Sequence, residues 1–132
     1  MTIWSGWAIL LAVAIAALLP LVRRAVDGTR PPLGSRTLTL HVVVGLTTSA
    51  LAFLHTLLAL PALGSSEAIG AGTGGLLAGA LAFCVIVAHA GIGLQLRQPK
   101  LRKREGKRRT HVVTAIAIAV TAAAHVIALR WG

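Results

Sequence analysis

LTLHVVVGLTTSALAFLHTLLAL, residues 38–60, is the stretch that decides the fold. It is apolar from end to end apart from a few hydroxyls and two imidazoles. As a helix it is long enough to cross the roughly 30 Å hydrocarbon core of a bilayer. His41 and His55 stand fourteen residues apart within it. At about 1.5 Å of rise per residue they lie about 21 Å apart along the axis and within about 40° of each other around it. Two imidazoles on one face of a membrane helix are costly unless something satisfies them. The same spacing recurs at His111 and His125, in HVVTAIAIAVTAAAH.

The rest of the chain has the same character. Of 132 residues, 56% are hydrophobic and 12% charged, which places the chain in the membrane class. Four apolar segments are long enough to span: Ile3–Val22, Leu38–Leu60, Ile69–Leu96 and Val112–Leu129. Spanning β-strands would be shorter and alternating. The expected fold is therefore all-α, a single integral membrane up-and-down four-helix bundle with no soluble domain. The first segment lacks a basic residue before its apolar run, so it is expected to be a retained helix and not a cleaved signal peptide.

A net charge of +10 raises the question of nucleic acid, and its distribution answers it. Arg23, Arg24, Arg30 and Arg36 follow the first span. Arg97, Lys100, Arg102, Lys103, Arg104, Lys107, Arg108 and Arg109 follow the third. The connection after the second holds only Glu67. This alternation is the positive-inside pattern of a four-span protein in an inner (cytoplasmic) membrane with both termini outside. Trp4, Trp7 and Trp131 fall at the expected outer interface, as an aromatic belt does. A second use of the basic run is docking an acidic partner or anionic lipid. Cys84 is the sole cysteine, and no C-x-x-C-H is present, so it reads as a small packing residue.

Pro20 sits near the end of the first span, and the segment Asp27–Pro32, then Pro61 and Gly64 with Ser65 and Ser66, and finally Pro99 mark the breaks between spans. Short connections make neighbours antiparallel, so the second and fourth spans run the same way. His41 and His111 then share the inner level, and His55 and His125 the outer. His41 is five residues past Arg36, and His111 two past Arg109, an offset of about 4–5 Å for tilt to absorb.

Two levels of paired imidazoles suit two stacked haems. Two neutral imidazoles fill both axial positions of a haem iron, leaving none for oxygen or substrate, so such a centre works by outer-sphere electron transfer. A ligating imidazole commonly donates its second N–H to an acceptor. Thr37 and Thr121 each lie four residues before a histidine and are candidates for that role. Gly45, one turn beyond His41, and Gly79 and Gly93, themselves fourteen apart, are candidates for making room for a flat macrocycle, as is the alanine-rich first span. Ordinary small-residue packing between membrane helices explains any one of these equally well. His89 reads as a histidine hydrogen-bonded across the bundle, or as a neighbour or substitute ligand at the inner level.

These histidine stretches resemble the di-haem four-helix core of membrane b-type cytochromes: the quinol-oxidising cytochrome b and the ferric-reductase-like transmembrane domain. Both carry H-x13-H, or nearly so, on two helices separated by one. The H-x3-G opening at His41 resembles ferric-reductase-like helices, and Gly79 and Gly93 look like the glycines beside the haems of cytochrome b. The resemblance covers three of the four spans. It implies two b-type haems (haem b), with His41 and His111 on the inner iron and His55 and His125 on the outer. It also implies an electron-transfer subunit more than a stand-alone enzyme, with membrane lipid around it and a redox-protein subunit or a quinone as partner. Unlike ferric reductases, the chain has no room for a flavin and nicotinamide domain. Unlike full cytochrome b, it lacks the further helices that build a quinol site. Unlike the ascorbate-linked cytochromes b561, it does not distribute its ligands over four helices.

Two other readings remain open. One is a small zinc or copper transporter or binding protein using the histidines directly. Each level then offers only two imidazoles, because Asp27, Glu67 and Glu105, like the basic run, are expected in loops. The other is a membrane anchor without haem, whose partner does the chemistry.

Overall fold

The computed structural model of the chain describes residues 2–66 and 72–131. Four helices follow one another: α1 (Thr2–Asp27), α2 (Arg36–Ala59), α3 (Gly72–Leu96) and α4 (Arg104–Trp131). A short 3-10 turn, Leu60–Ala62, follows α2. All four helices are long and apolar enough to cross a membrane. The protein is an all-α, multi-pass membrane bundle. Glu67 and the expected start of the third span at Ile69 lie outside the described residues.

Two helices outrun the expected spans, and both do so at the basic end. α1 continues past Val22 through Arg23 and Arg24 to Asp27, whose carboxylate pairs with the Arg23 Nε at 2.6 Å. α4 begins at Arg104, so Arg104–Arg109 are helical and not loop. Lys and Arg are good helix formers, and nothing between Arg104 and His111 stops the helix. Arg104 donates to the carbonyls of Leu96 (2.7 Å), Gln98 and Pro99 (3.2 Å), which satisfies carbonyl groups left open where α3 ends. The basic run is thus a rigid helical extension.

Consecutive helices pack together: α1 on α2, α2 on α3, and α3 on α4. The first and last pairs form tight hairpins. α1 and α4 face each other across a cleft lined largely by Ala14, Ala17, Ala115, Ala119 and Ala122. With the helices in cyclic order, α2 and α4 stand on the diagonal. Most large aliphatic side chains point outward, among them Leu11, Leu77 and Val120. In water that surface would drive aggregation; in hydrocarbon it is matched to its solvent.

The buried centre draws on every helix through Ile9, Ala52, Ile86 and Ile118. Its position follows from register. Ile118 is seven residues from both His111 and His125. Ile86 is seven from both Gly79 and Gly93, and the buried Thr48 is seven from both His41 and His55. A mostly apolar layer therefore sits midway between two imidazole levels. Thr48 meets its own polar requirement by donating to the Val44 carbonyl at 2.8 Å.

Candidate functional site

The two levels are built differently. At the basic end, His41 on α2 and His111 on α4 meet across the bundle with ring centroids 6.1 Å apart and planes at 83°. The offset expected from their distances to Arg36 and Arg109 is absorbed. His89 on α3 stacks on His111 at 3.8 Å and 12°. Three imidazoles thus gather at this level. At the tryptophan end, His55 on α2 and His125 on α4 occupy the positions fourteen residues further along the same two helices.

Four of the five imidazoles bond across their own hairpin, two to backbone carbonyls and two to side-chain hydroxyls. The His41 Nδ1 donates to the Ala16 carbonyl of α1 at 2.7 Å, and the His125 Nδ1 to the Gly75 carbonyl of α3 at 2.8 Å. A carbonyl can only accept, so both rings carry the proton on Nδ1, and Nε2 keeps its lone pair. The His55 Nδ1 bonds the Ser5 hydroxyl of α1 at 2.9 Å. The His89 Nδ1 bonds Thr114 Oγ1 at 2.8 Å. That hydroxyl spends its own proton on the His111 carbonyl at 3.0 Å, so His89 is the donor there and its Nε2 is likewise free. The His111 Nδ1 is buried without a hydrogen-bond partner among the described residues.

Glycines make these approaches feasible. A Cβ on Gly79 would stand 2.8 Å from His125 Cε1 and 2.9 Å from its Nδ1. The His125 ring lies on bare α3 backbone, which lets it reach the carbonyl one turn away at Gly75. A Cβ on Gly93 would stand 3.3 Å from His111 Cε1, and one on Gly6 3.6 Å from His55 Cε1. Gly79 and Gly93 both back onto histidines, so the room they leave in this structure is taken by the His125 and His111 rings. Gly45 differs, since a Cβ there meets nothing within 4 Å, and its place beyond His41 is open space.

The threonine expectation is corrected. Thr121 donates to the carbonyls of Ala117 (2.7 Å) and Ile118 (3.3 Å) on its own helix and does not hold His125. Thr37 lines a groove with Ile15, Leu19 and Val22 on the α1–α2 surface, and His41 is held by Ala16 instead. A threonine hydroxyl in a helix finds its own preceding turn first, while the imidazoles are long enough to reach the neighbouring helix.

Two residues of this arrangement escape a reading of the histidine stretches alone, Gly6 and Pro20. They are fourteen apart on α1, the interval of the two histidine pairs and of Gly79 and Gly93. All four helices thus repeat at that interval, and α1 supplies Gly6 at one level and Pro20 at the other.

Metal–imidazole bonds of about 2 Å on opposite sides of one ion place ring centroids about 6 Å apart, which the His41–His111 separation matches. Among the described residues no three or more His, Cys, Asp or Glu converge on a point that would hold a metal ion. Two imidazoles at this level would fit a group that brings its remaining metal ligands with it. Compared with protein-family models, with curated proteins and with solved structures, the chain matches none.

Proposed function

We propose that this protein is a di-haem b-type electron-transfer subunit of an inner membrane, with both termini outside and the basic end in the cytoplasm. His41 and His111 would hold the haem at the basic end, and His55 and His125 the haem at the tryptophan end. One observation carries the reading: residues 70 positions apart in sequence, His41 and His111, meet in a T-shaped contact with ring centroids 6.1 Å apart, on helices that repeat the same pair fourteen residues later. The Nδ1–H bonds of His41 and His125 support it, because they leave Nε2 as the free donor and raise its basicity. When bound, a bis-imidazole haem accepts and releases one electron without opening a coordination position.

The chain's own residues do the rest. Hairpin hydrogen bonds fix the rings, Gly79 and Gly93 give them room, and the layer at Ile86 and Ile118 keeps the two levels apart. The helical basic extension, Arg104–Arg109, gives the cytoplasmic end a positive surface for acidic groups, propionates or an acidic redox partner included. The donor and acceptor are a quinone or redox-protein partner on one side and an acceptor on the other.

Protein purified from haem-replete cells tests the reading. The expected pyridine haemochrome ratio is about two haems per chain, with a low-spin spectrum in both oxidation states. A colourless protein would overturn it.

A further inference from the structure

Proline is a poor helix residue, yet Pro20 sits inside α1 and the helix continues for seven residues beyond it. Proline has no N–H, so the carbonyl four residues earlier loses its helical partner. That carbonyl belongs to Ala16. In hydrocarbon an open carbonyl must find another donor, and the one it has is the His41 Nδ1–H, at 2.7 Å. No other carbonyl of α1 is freed in this way within the span, since Pro20 is its sole proline.

We infer that Pro20 is a positioning residue for His41: by withholding an N–H it reserves the Ala16 carbonyl for the His41 imidazole, fixing its tautomer and strengthening its Nε2 as a donor. The effect on a haem rests on the di-haem reading; the effect on the ring does not. The alternative role for Pro20, a simple bend in α1, makes a different demand. It requires the ring or the lack of a helical bond only for shape, and it places no condition on the His41 proton. The register favours the first role. Pro20 lies at the same level as His41, Gly93 and His111, where Gly6 stands at the other level. At that other level α1 offers His55 a side-chain hydroxyl, from Ser5, where the basic end uses a backbone carbonyl.

The chemistry sets the sign. A strong Nδ1–H bond to a carbonyl pushes electron density toward Nε2, making a more basic ligand that favours oxidised iron. In Pro20→Ala the new N–H returns to Ala16. A carbonyl has two lone pairs and can accept both bonds, so the His41 bond weakens but is not abolished.

Pro20→Ala and Pro20→Gly are made together, because glycine restores the N–H while leaving the chain free to bend. Two quantities are read. The first is the His41 Nδ1–H proton resonance in 15N-labelled protein prepared without haem, expected far downfield in wild type and moved upfield in both variants. The second is the pair of midpoint potentials of the haem-loaded protein. The potential at the basic end is expected to rise in both variants while the other stays in place. A resonance and a potential that do not move in either variant would overturn the inference, as would a shift in Pro20→Ala that Pro20→Gly lacks, which would assign the effect to the bend. If wild type binds no haem, the functional reading fails, and the resonance alone still decides the role of Pro20.

Discussion

The two imidazole levels use the same helices and the same fourteen-residue interval, yet they are held by different means. At the tryptophan end, two histidines each have one clear anchor: Ser5 for His55, and the Gly75 carbonyl with the bare backbone of Gly79 for His125. At the basic end, three histidines gather. His41 is anchored by a carbonyl that Pro20 frees, and His111 is held mainly by packing, between Gly93 and the face of His89. The equivalence can be followed on α3. His89 stands fourteen residues from Gly75, so the position that offers a bare carbonyl acceptor at one end carries an imidazole at the other. A repeated scaffold can thus support two centres with separately adjustable surroundings.

The largest effects come from the axial positions. His41→Ala or His111→Ala is expected to halve the haem content, removing the basic-end haem and leaving the other; His55→Ala or His125→Ala does the reverse. Haem-to-protein ratio and a two-step redox titration check this. Loss of both haems from each single variant, with the helices intact by circular dichroism, would show that the levels are not independent.

A graded series at the glycines sharpens the comparison. The distances a new Cβ would meet, 2.8 Å at Gly79, 3.3 Å at Gly93 and 3.6 Å at Gly6, rank three substitutions to alanine. Overpacking a tight site costs about 1–3 kcal/mol, and Gly79→Ala is expected near the top of that range because the Gly75 bond ties the His125 ring in place. Gly93→Ala should cost less, since His111 has no strong bond to break. Gly6→Ala should be close to neutral, and Gly45→Ala neutral. Haem retention and thermal midpoint, measured across the four variants, check the order. An equal loss at Gly79 and Gly45 would remove the argument that bare backbone accommodates the rings.

Much of this arrangement is legible along the chain because membrane constraints act on composition. Four apolar spans, the basic alternation and the H-x13-H spacing place the histidines on two helices at two levels before any contact is known. The hydrogen-bond anchors are less legible. His41 and His125 bond backbone carbonyls, and a carbonyl has no residue identity to read. Thr37 and Thr121 look suitable by helical spacing, but hydroxyls settle on their own helix. The Pro20 signal was present in another form: a proline inside a span announces an open carbonyl four residues before it, and its fourteen-residue distance from Gly6 matches the histidine ladder. The start of α4, at Arg104 and not at Val112, differs from the expected span for a simpler reason. Charge marks where a helix leaves the bilayer, and α4 goes on as a helix after leaving it.

The smallest expected effect concerns His89, and it tests the asymmetry most finely. Its ring covers the face of His111, and Thr114 ties its Nδ1 back to the His111 carbonyl, so His89 and His111 form one unit linking α3 and α4. A ring held by stacking can turn more easily than one held by a carbonyl. His89→Ala is therefore expected to leave both haems bound while shifting the basic-end potential, because the His111 ring loses the surface that sets its plane. His89→Phe restores a flat surface without a donor nitrogen, and the potential should return toward wild type. The pair separates two roles that one substitution confuses. Recovery in His89→Phe assigns His89 to stacking. A basic-end haem lost in both variants, yet retained in His111→Ala, would make His89 the axial partner of His41 and reverse the assignment within the stacked pair.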